Sequence, residues 1–207
     1  MRTLLLTVSL LVLALPALAA PVSCATTTTF GDLTGAVDGC QDQDKIYSNW
    51  FGDLPSGTEV LIETVAGLID THIVSIGALD IGTYTFGYMI SIDPLTPDYA
   101  DRNITQVTLG FDSAGQPGNA AYKEIYLNGV LFDTLFSSGG IDASALFSEK
   151  SVQIVEVISV TNSTYQSTTN SFTQEVTAIP EPGTYAMIGF GLLGIVLTTK
   201  RRSASKS

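Results

Sequence analysis

Alternation of polar and apolar side chains, in runs too short and too β-branched for helices, is what most limits this chain. The clearest run is "YKEIYLNGVLFDTLF", residues 122–136. Two alternating segments flank Asn128-Gly129, a pair suited to a tight type I′ turn because both central residues need positive φ. The same pattern recurs in "GTEVLIETV" (57–65), "THIVSI" (71–76), "YTFGYMISI" (84–92), "ITQVTLGF" (104–111) and "SVQIVEVISV" (151–160). Each is rich in Val, Ile, Thr, Tyr or Phe and is bounded by Gly, Pro, Asp or Ser. "STYQSTTNSFTQEVT" (163–177) alternates more weakly and reads as an edge strand, while "GIDASALFSEK" (140–150) has room for one or two helical turns. Residues 20–179 carry no persuasive amphipathic helix and no internal repeat. About seven to ten short strands predict an all-β fold, an antiparallel β-sandwich.

The two ends obey different rules. "MRTLLLTVSLLVLALPALAA" sets Arg2 before an apolar stretch from Leu4 to Leu15, then Pro16 and small residues at Ala17 and Ala19. That is the build of a secretory signal peptide, residues 1–19, to be left out of the fold. At the other end, Gly183 to Thr199 is a run of 17 residues without a charge, at the lower bound for a helix crossing a hydrocarbon core of about 30 Å. Its strongly apolar residues favour insertion by about 2 to 4 kcal/mol, and four glycines erode that helix. Lys200, Arg201 and Arg202 follow, and such a basic cluster stays cytoplasmic, which leaves Glu181 and the body outside and residues 203–207 as a cytoplasmic tail. "GFGLLG", Gly189 to Gly194, matches the glycine pattern of dinucleotide-binding folds by accident: it sits inside the apolar run, not at a strand-to-helix turn.

Between the ends, residues 20–179 form one domain's length and hold four basic residues (Lys45, Arg102, Lys123, Lys150) against nineteen acidic ones, a net of −15. A body this acidic repels phosphate backbones and excludes nucleic acid as a partner. Solubility is the simpler account of the charge, and a specific cation-binding role is the other. Cys24 and Cys40 are the only cysteines. In an oxidising compartment a close, even pair reads as one disulfide, worth about 3 kcal/mol in the chain-entropy account. A zinc site lacks ligands, since His72 is the only histidine and no third cysteine exists.

Pro180-Glu181-Pro182, then a short apolar helix, then a basic cluster, resembles the PEP-CTERM sorting signal of Gram-negative bacterial surface proteins over residues 179–202. The resemblance implies recognition by an exosortase, an integral-membrane enzyme that cuts near the Pro-Glu-Pro and removes the helix. It also implies a precursor anchored in the inner membrane with a periplasmic body, then a cell-surface or extracellular-matrix protein, with exopolysaccharide as a further partner. The prolines support this by holding the peptide extended and free of helix just outside the bilayer. "GCQDQDKIYSNWFGDLPSG" (39–57) resembles a second pattern of such ectodomains, Gly-Cys-x-x-x-Asp-Lys-x-Phe/Tyr-Ser-Asn-Phe. Asp44, Lys45, Tyr47, Ser48 and Asn49 match it, and Trp50 stands where Phe is usual; it implies a β-rich secreted domain (20–178) and no activity.

The remaining candidates for chemistry are sparse. Asp70 and His72 share a strand face, but no G-x-S-x-G nucleophile elbow exists, and paired carboxylates prove little in so acidic a chain. Asp38, Asp42 and Asp44 lie within seven residues, and Asp93, Asp98 and Asp101 within nine. Loop oxygens of this kind suit calcium, although neither cluster fits an EF-hand. Asn103-Ile104-Thr105 and Asn162-Ser163-Thr164 are glycosylation sequons with no expected use in a bacterium. Trp50, Phe51, Tyr84, Tyr88, Tyr99 and Tyr126 could stack on sugars or pair across strands. The expectation is a non-enzymatic exported protein without a cofactor. A carbohydrate- or calcium-binding adhesin-like module and a secreted hydrolase are the alternatives.

The cysteine reading is directly testable. Exported protein should show no free thiol in non-reducing mass spectrometry. Cys24→Ser should lower the melting temperature without abolishing the fold, because strands rather than the staple hold most of the buried area.

Overall fold

The alternating runs become strands in a computed structural model that describes residues 21–24, 28–65, 71–112, 118–161 and 167–176. In chain order these are β1 (Val22–Ser23), β2 (Thr28–Thr29), a helical turn α1 (Phe30–Gly35), β3 (Cys40–Asp42), β4 (Lys45–Gly52), β5 (Glu59–Val65), β6 (Thr71–Ile76) and β7 (Gly82–Ile92). After a 3-10 turn (Tyr99–Asp101) come β8 (Arg102–Asp112), β9 (Ala120–Leu127), β10 (Val130–Ser137), β11 (Ile141–Ala143), β12 (Ser151–Val160) and β13 (Ser167–Val176). They build a seven-stranded sheet, β1-β3-β4-β7-β12-β9-β10, and a six-stranded sheet, β11-β8-β13-β6-β5-β2. Apart from the parallel β1–β3 pair, the described pairings between strands are antiparallel. The fold is all-β and sandwich-like, as the alternation predicts. The signal peptide, the helix over 183–199, Pro180-Glu181-Pro182 and Lys200, Arg201 and Arg202 lie outside the described residues. Among the described residues no helix is long and apolar enough to cross a membrane.

Two local expectations need correction. β13 is no edge strand, for it lies between β8 and β6. Its inward residues are Thr168, Asn170, Phe172 and Gln174, all buried, so a strand with one large apolar inward side chain looked like an edge. Residues 140–150 form no helix; β11 occupies 141–143 and pairs with β8. Conversely, the turn α1 went unread, although Thr29 and Asp32 form its capping box: the Thr29 side chain accepts from the Asp32 N–H, and the Thr29 N–H donates to the Asp32 carboxylate. Such reciprocal capping satisfies donors that a helix start leaves open.

Asn128 and Gly129 have φ of 52° and 77° and close the β9–β10 hairpin as the composition requires. Cys24 and Cys40 are bridged, fastening the end of β1 to β3. The inner faces meet through an aromatic chain. Trp50 of β4 stacks on Tyr88 of β7 with centroids 4.4 Å apart, and Tyr88 meets Phe172 of β13 edge-on across the sheets at 6.2 Å. Phe30 of α1 closes the end of this chain against Trp50.

Alternation also carries two charges inward. Lys123 of β9 and Glu156 of β12 stand directly opposite one another, both fully buried, with Nζ and Oε2 4.0 Å apart. Lys123 also donates to the Thr108 carbonyl of the other sheet at 2.9 Å. Burial pushes the Lys123 amine down to about 8, against the attraction of Glu156. Burial likewise raises the Glu156 carboxyl, opposed by Lys123 and by Asn170.

Removing one partner leaves the other charge buried alone. Lys123→Met should therefore cost about 3–5 kcal/mol in urea denaturation. Lys123→Met combined with Glu156→Leu should recover most of that loss, because an apolar pair carries no desolvation cost.

Candidate functional site

The charged residues singled out by sequence come together, but as a buried structural cluster. Asp44, in the turn between β3 and β4, receives Lys45 Nζ at 2.8 Å and Arg102 Nη1 at 3.1 Å. Lys45 is fully buried and also donates to Gln174 of the opposite sheet. Burial acts to raise the Asp44 carboxyl, but hydrogen bonding and charge from Lys45, with help from Gln174 and His72, hold it below its usual range. His72 is fully buried on β6. The Thr64 hydroxyl donates its single proton to Asp42 Oδ2 at 2.6 Å, so at 2.9 Å it accepts from His72 Nδ1. That bond fixes the Nδ1–H tautomer. Burial first, then the Lys45 charge, depress the imidazole to about 4. At neutral pH it is uncharged, and its 3.5 Å approach to Asp44 is no ion pair. Asp70 lies outside the described residues.

The loop aspartates do not act together. Asp38 is exposed, Asp42 accepts from Thr64 and Asp44 is held by cations. Among the described residues no group of three or more His, Cys, Asp or Glu is placed to hold a metal ion. The residues matching the second ectodomain pattern have structural tasks: Asp44 and Lys45 pair, Tyr47 is buried, and Asn49 takes a φ of 54° at a bulge.

That bulge creates the most site-like surface. Register slips between Ser48 and Phe51, so Trp50 turns into the core and Phe51 turns out, 43% exposed. A bulge re-aims side chains in this way. The Phe51 ring lies over Gly87 of β7, where any Cβ would collide with it. Around it the outer face of the seven-stranded sheet can be traced by register. One row runs Phe51, Gly87, Val155, Glu124, Thr134, and the next runs Ser48, Met89, Gln153, Tyr126, Leu131. A third carries Thr85, Val157, Tyr122 and Phe136. A hollow of about 190 Å³ opens here beside Asn49, Phe51, Met89 and Gln153. Glu124 accepts from the Tyr126 hydroxyl at 2.6 Å and the Tyr122 hydroxyl at 3.2 Å, and the first of these bonds raises the Tyr126 phenol above its usual range. Exposed rings, an amide and a carboxylate on a flat sheet can stack on and hydrogen-bond a polar ring. A larger hollow of about 410 Å³ on the six-stranded sheet is faced by Thr108, Gly110, Thr169 and Ser171 and offers no exposed ring.

Of the six aromatics named from sequence, only Phe51 and Tyr126 belong to this face. Trp50 and Tyr88 are core, Tyr84 donates to the Asp80 carbonyl, and Tyr99 lies beneath Lys150. Tyr122, Glu124 and Phe136 were missed. The spacing Tyr122, Glu124, Tyr126 is a one-face strand pattern that could have found two of them; Phe136 needed the hairpin register.

Residues 178–202 match the model of the PEP-CTERM protein-sorting motif. No curated protein matches the chain. Similar solved structures include TmCBM61 in complex with beta-1,4-galactotriose, 8% identical over 63% of this chain and 88% of that one, with a TM-score of 0.36. Another is the family 11 carbohydrate-binding module from Clostridium thermocellum with a beta-1,3-1,4-mixed-linked tetrasaccharide, 11% identical over 70% and 95%, TM-score 0.27. A third is the C-terminal family 22 carbohydrate binding module of Clostridium thermocellum Xyn10B, 14% identical over 75% and 96%, TM-score 0.29. Likeness this faint says nothing of what this chain binds.

The buried imidazole has a pH signature. Between the folded value of about 4 and the unfolded value of about 6.5, the unfolded chain holds a proton at His72 that the folded chain lacks. Stability from this group should therefore rise with pH across that window, by up to about 1.4 kcal/mol per pH unit. In urea titrations at a series of pH values, the His72→Gln variant should lose that part of the slope; an unchanged slope would show that His72 is not buried in its neutral form.

Proposed function

We propose that this is an exported cell-envelope or extracellular-matrix protein whose sandwich binds glycan and catalyses nothing. The match of residues 178–202 to the sorting motif carries the reading. Residues 1–19 direct export. Residues 183–199 then hold the precursor in the inner membrane with its body in the periplasm, and an exosortase-type enzyme cuts near Pro180-Glu181-Pro182. Exposed rings beside Gln153 and Glu124 on the outer sheet face support glycan as the partner, since stacking supplies area and the polar groups supply orientation. The burial of His72 away from solvent supports a non-catalytic role. The cations already seated on Asp44 favour glycan over calcium.

The tail separates sorting from plain anchoring. Replacing Pro180, Glu181 and Pro182 by alanine should trap full-length protein in the membrane of a host that has the enzyme. Neutralising Lys200, Arg201 and Arg202 should weaken the stop, because these cations resist crossing the apolar core. Truncation after Ile179 should release a soluble, folded domain. Intact mass of the surface protein in hosts with and without the enzyme is the measurement. Retention of residues 183–199 in the competent host would mean an ordinary anchor.

A further inference from the structure

The basic residues of the described sandwich are all engaged internally. Lys45 and Lys123 are fully buried, and Arg102 pairs with Asp44. Lys150 donates to the carbonyls of Tyr99 at 2.6 Å, Ala100 at 2.9 Å and Arg102, and lies 4.8 Å over the Tyr99 ring. Among the acidic groups, Asp44 and Glu156 face these cations. Fifteen more acids than bases lie in residues 20–179, and Glu156 alone among the acids of the described residues is fully buried. The outward field is therefore anionic, and it draws cations and repels uronates, phosphates and sulfates.

On the outer face of the seven-stranded sheet that field has a focus. Glu124 is the one charged side chain at the outward positions of β4, β7, β12, β9 and β10 traced by register. The cations of the described residues are seated elsewhere: Lys45 and Arg102 on Asp44, Lys123 beside buried Glu156, and Lys150 on backbone carbonyls. Two tyrosine hydroxyls occupy part of its acceptor capacity, and an ionised carboxylate accepts at about four sites. Tyr122 is 37% exposed and Phe136, directly opposite it, is 57% exposed. A cation here meets a carboxylate and aromatic rings together, the pairing that favours ammonium groups. Along the row, Val155 separates Gly87 from Glu124. Two strand spacings make that separation about 10 Å, room for a sugar ring lying on Val155 with the Phe51 ring at its edge.

We infer that this face selects a glycan bearing free, protonated amino groups, with sugar rings against Phe51 and the Tyr122–Phe136 pair and an ammonium at Glu124. This rests on the glycan reading above and narrows it to an amino-sugar polymer. A cationic peptide offers charge but no flat polar ring to lie across Val155, so the aromatics decide between the two.

Calorimetry on the full-length chain in detergent, at mildly acidic pH, tests it with three probes: a short glucosamine oligomer, the same oligomer fully N-acetylated, and poly-lysine. The free-amine oligomer should bind at least about tenfold more tightly than the acetylated one, the worth of one charge-assisted hydrogen bond. Glu124→Gln, which keeps the shape and one of the two acceptors that the tyrosine hydroxyls use, should erase that difference. Phe51→Ala should weaken both oligomers and leave poly-lysine unchanged. Glu175→Gln, on the other sheet, should change nothing, and melting curves should show every variant folded. Equal binding of the two oligomers would overturn the amine inference while the glycan reading stands. Binding of neither oligomer would overturn both. Poly-lysine binding as tightly as the amine oligomer, with no effect of Phe51→Ala, would reduce the face to bulk charge.

Discussion

A strand that buries every second residue commits the others to the outside, and this pairing of opposite faces governs the whole molecule. Tyr88 can reach Phe172 only because its neighbours Gly87 and Met89 take the other face of the strand. The core and the candidate site are thus two sides of the same strands. Packing fixes β4, β7, β12 and β9 from within, so the rings and polar groups on their outer face are held in place without their own packing support.

Two charge groups are buried in the interior beside its apolar and neutral polar side chains. Lys123 with Glu156 ties neighbouring strands and reaches the far sheet through Thr108. Lys45 with Asp44, Arg102 and Gln174 joins β4 to β8 and β13 at one end of the sandwich. Ion pairs of this kind add little net stability over apolar replacements. What they do is penalise wrong registers, since a one-residue slip would strand a charge in the core or send it to the wrong face. They also take cations off the surface, which is why so acidic a chain has an exterior more anionic than its composition suggests.

The candidate site was half legible. Phe51 and Tyr126 were on the sequence's own list, but so were Trp50 and Tyr88, which stack in the core. Nothing local separates Trp50 from Phe51, since they are adjacent and both aromatic; the bulge at Asn49 decides which one faces out. Lys123 and Glu156 could have been noticed, because each falls in phase with the apolar residues of its strand. A lone charge in phase, however, reads equally as an exposed strand with imperfect alternation, until its partner is placed opposite.

By itself the sequence determined what depends on neighbours along the chain: the strand-forming runs, the Asn128-Gly129 turn, the pairing of the only two cysteines and the sorting motif near Pro180-Glu181-Pro182. Each follows from local dihedral preference, from counting, or from order over a few dozen residues. Only the tertiary structure decided that β13 is central, which aromatics face solvent, and that Tyr122, Glu124, Gln153 and Phe136 form one surface. Period-two alternation says that a strand has two faces. Which face meets a core, and which strand lies alongside, is settled by hydrogen bonds and packing between residues far apart in sequence, and no single segment carries that information.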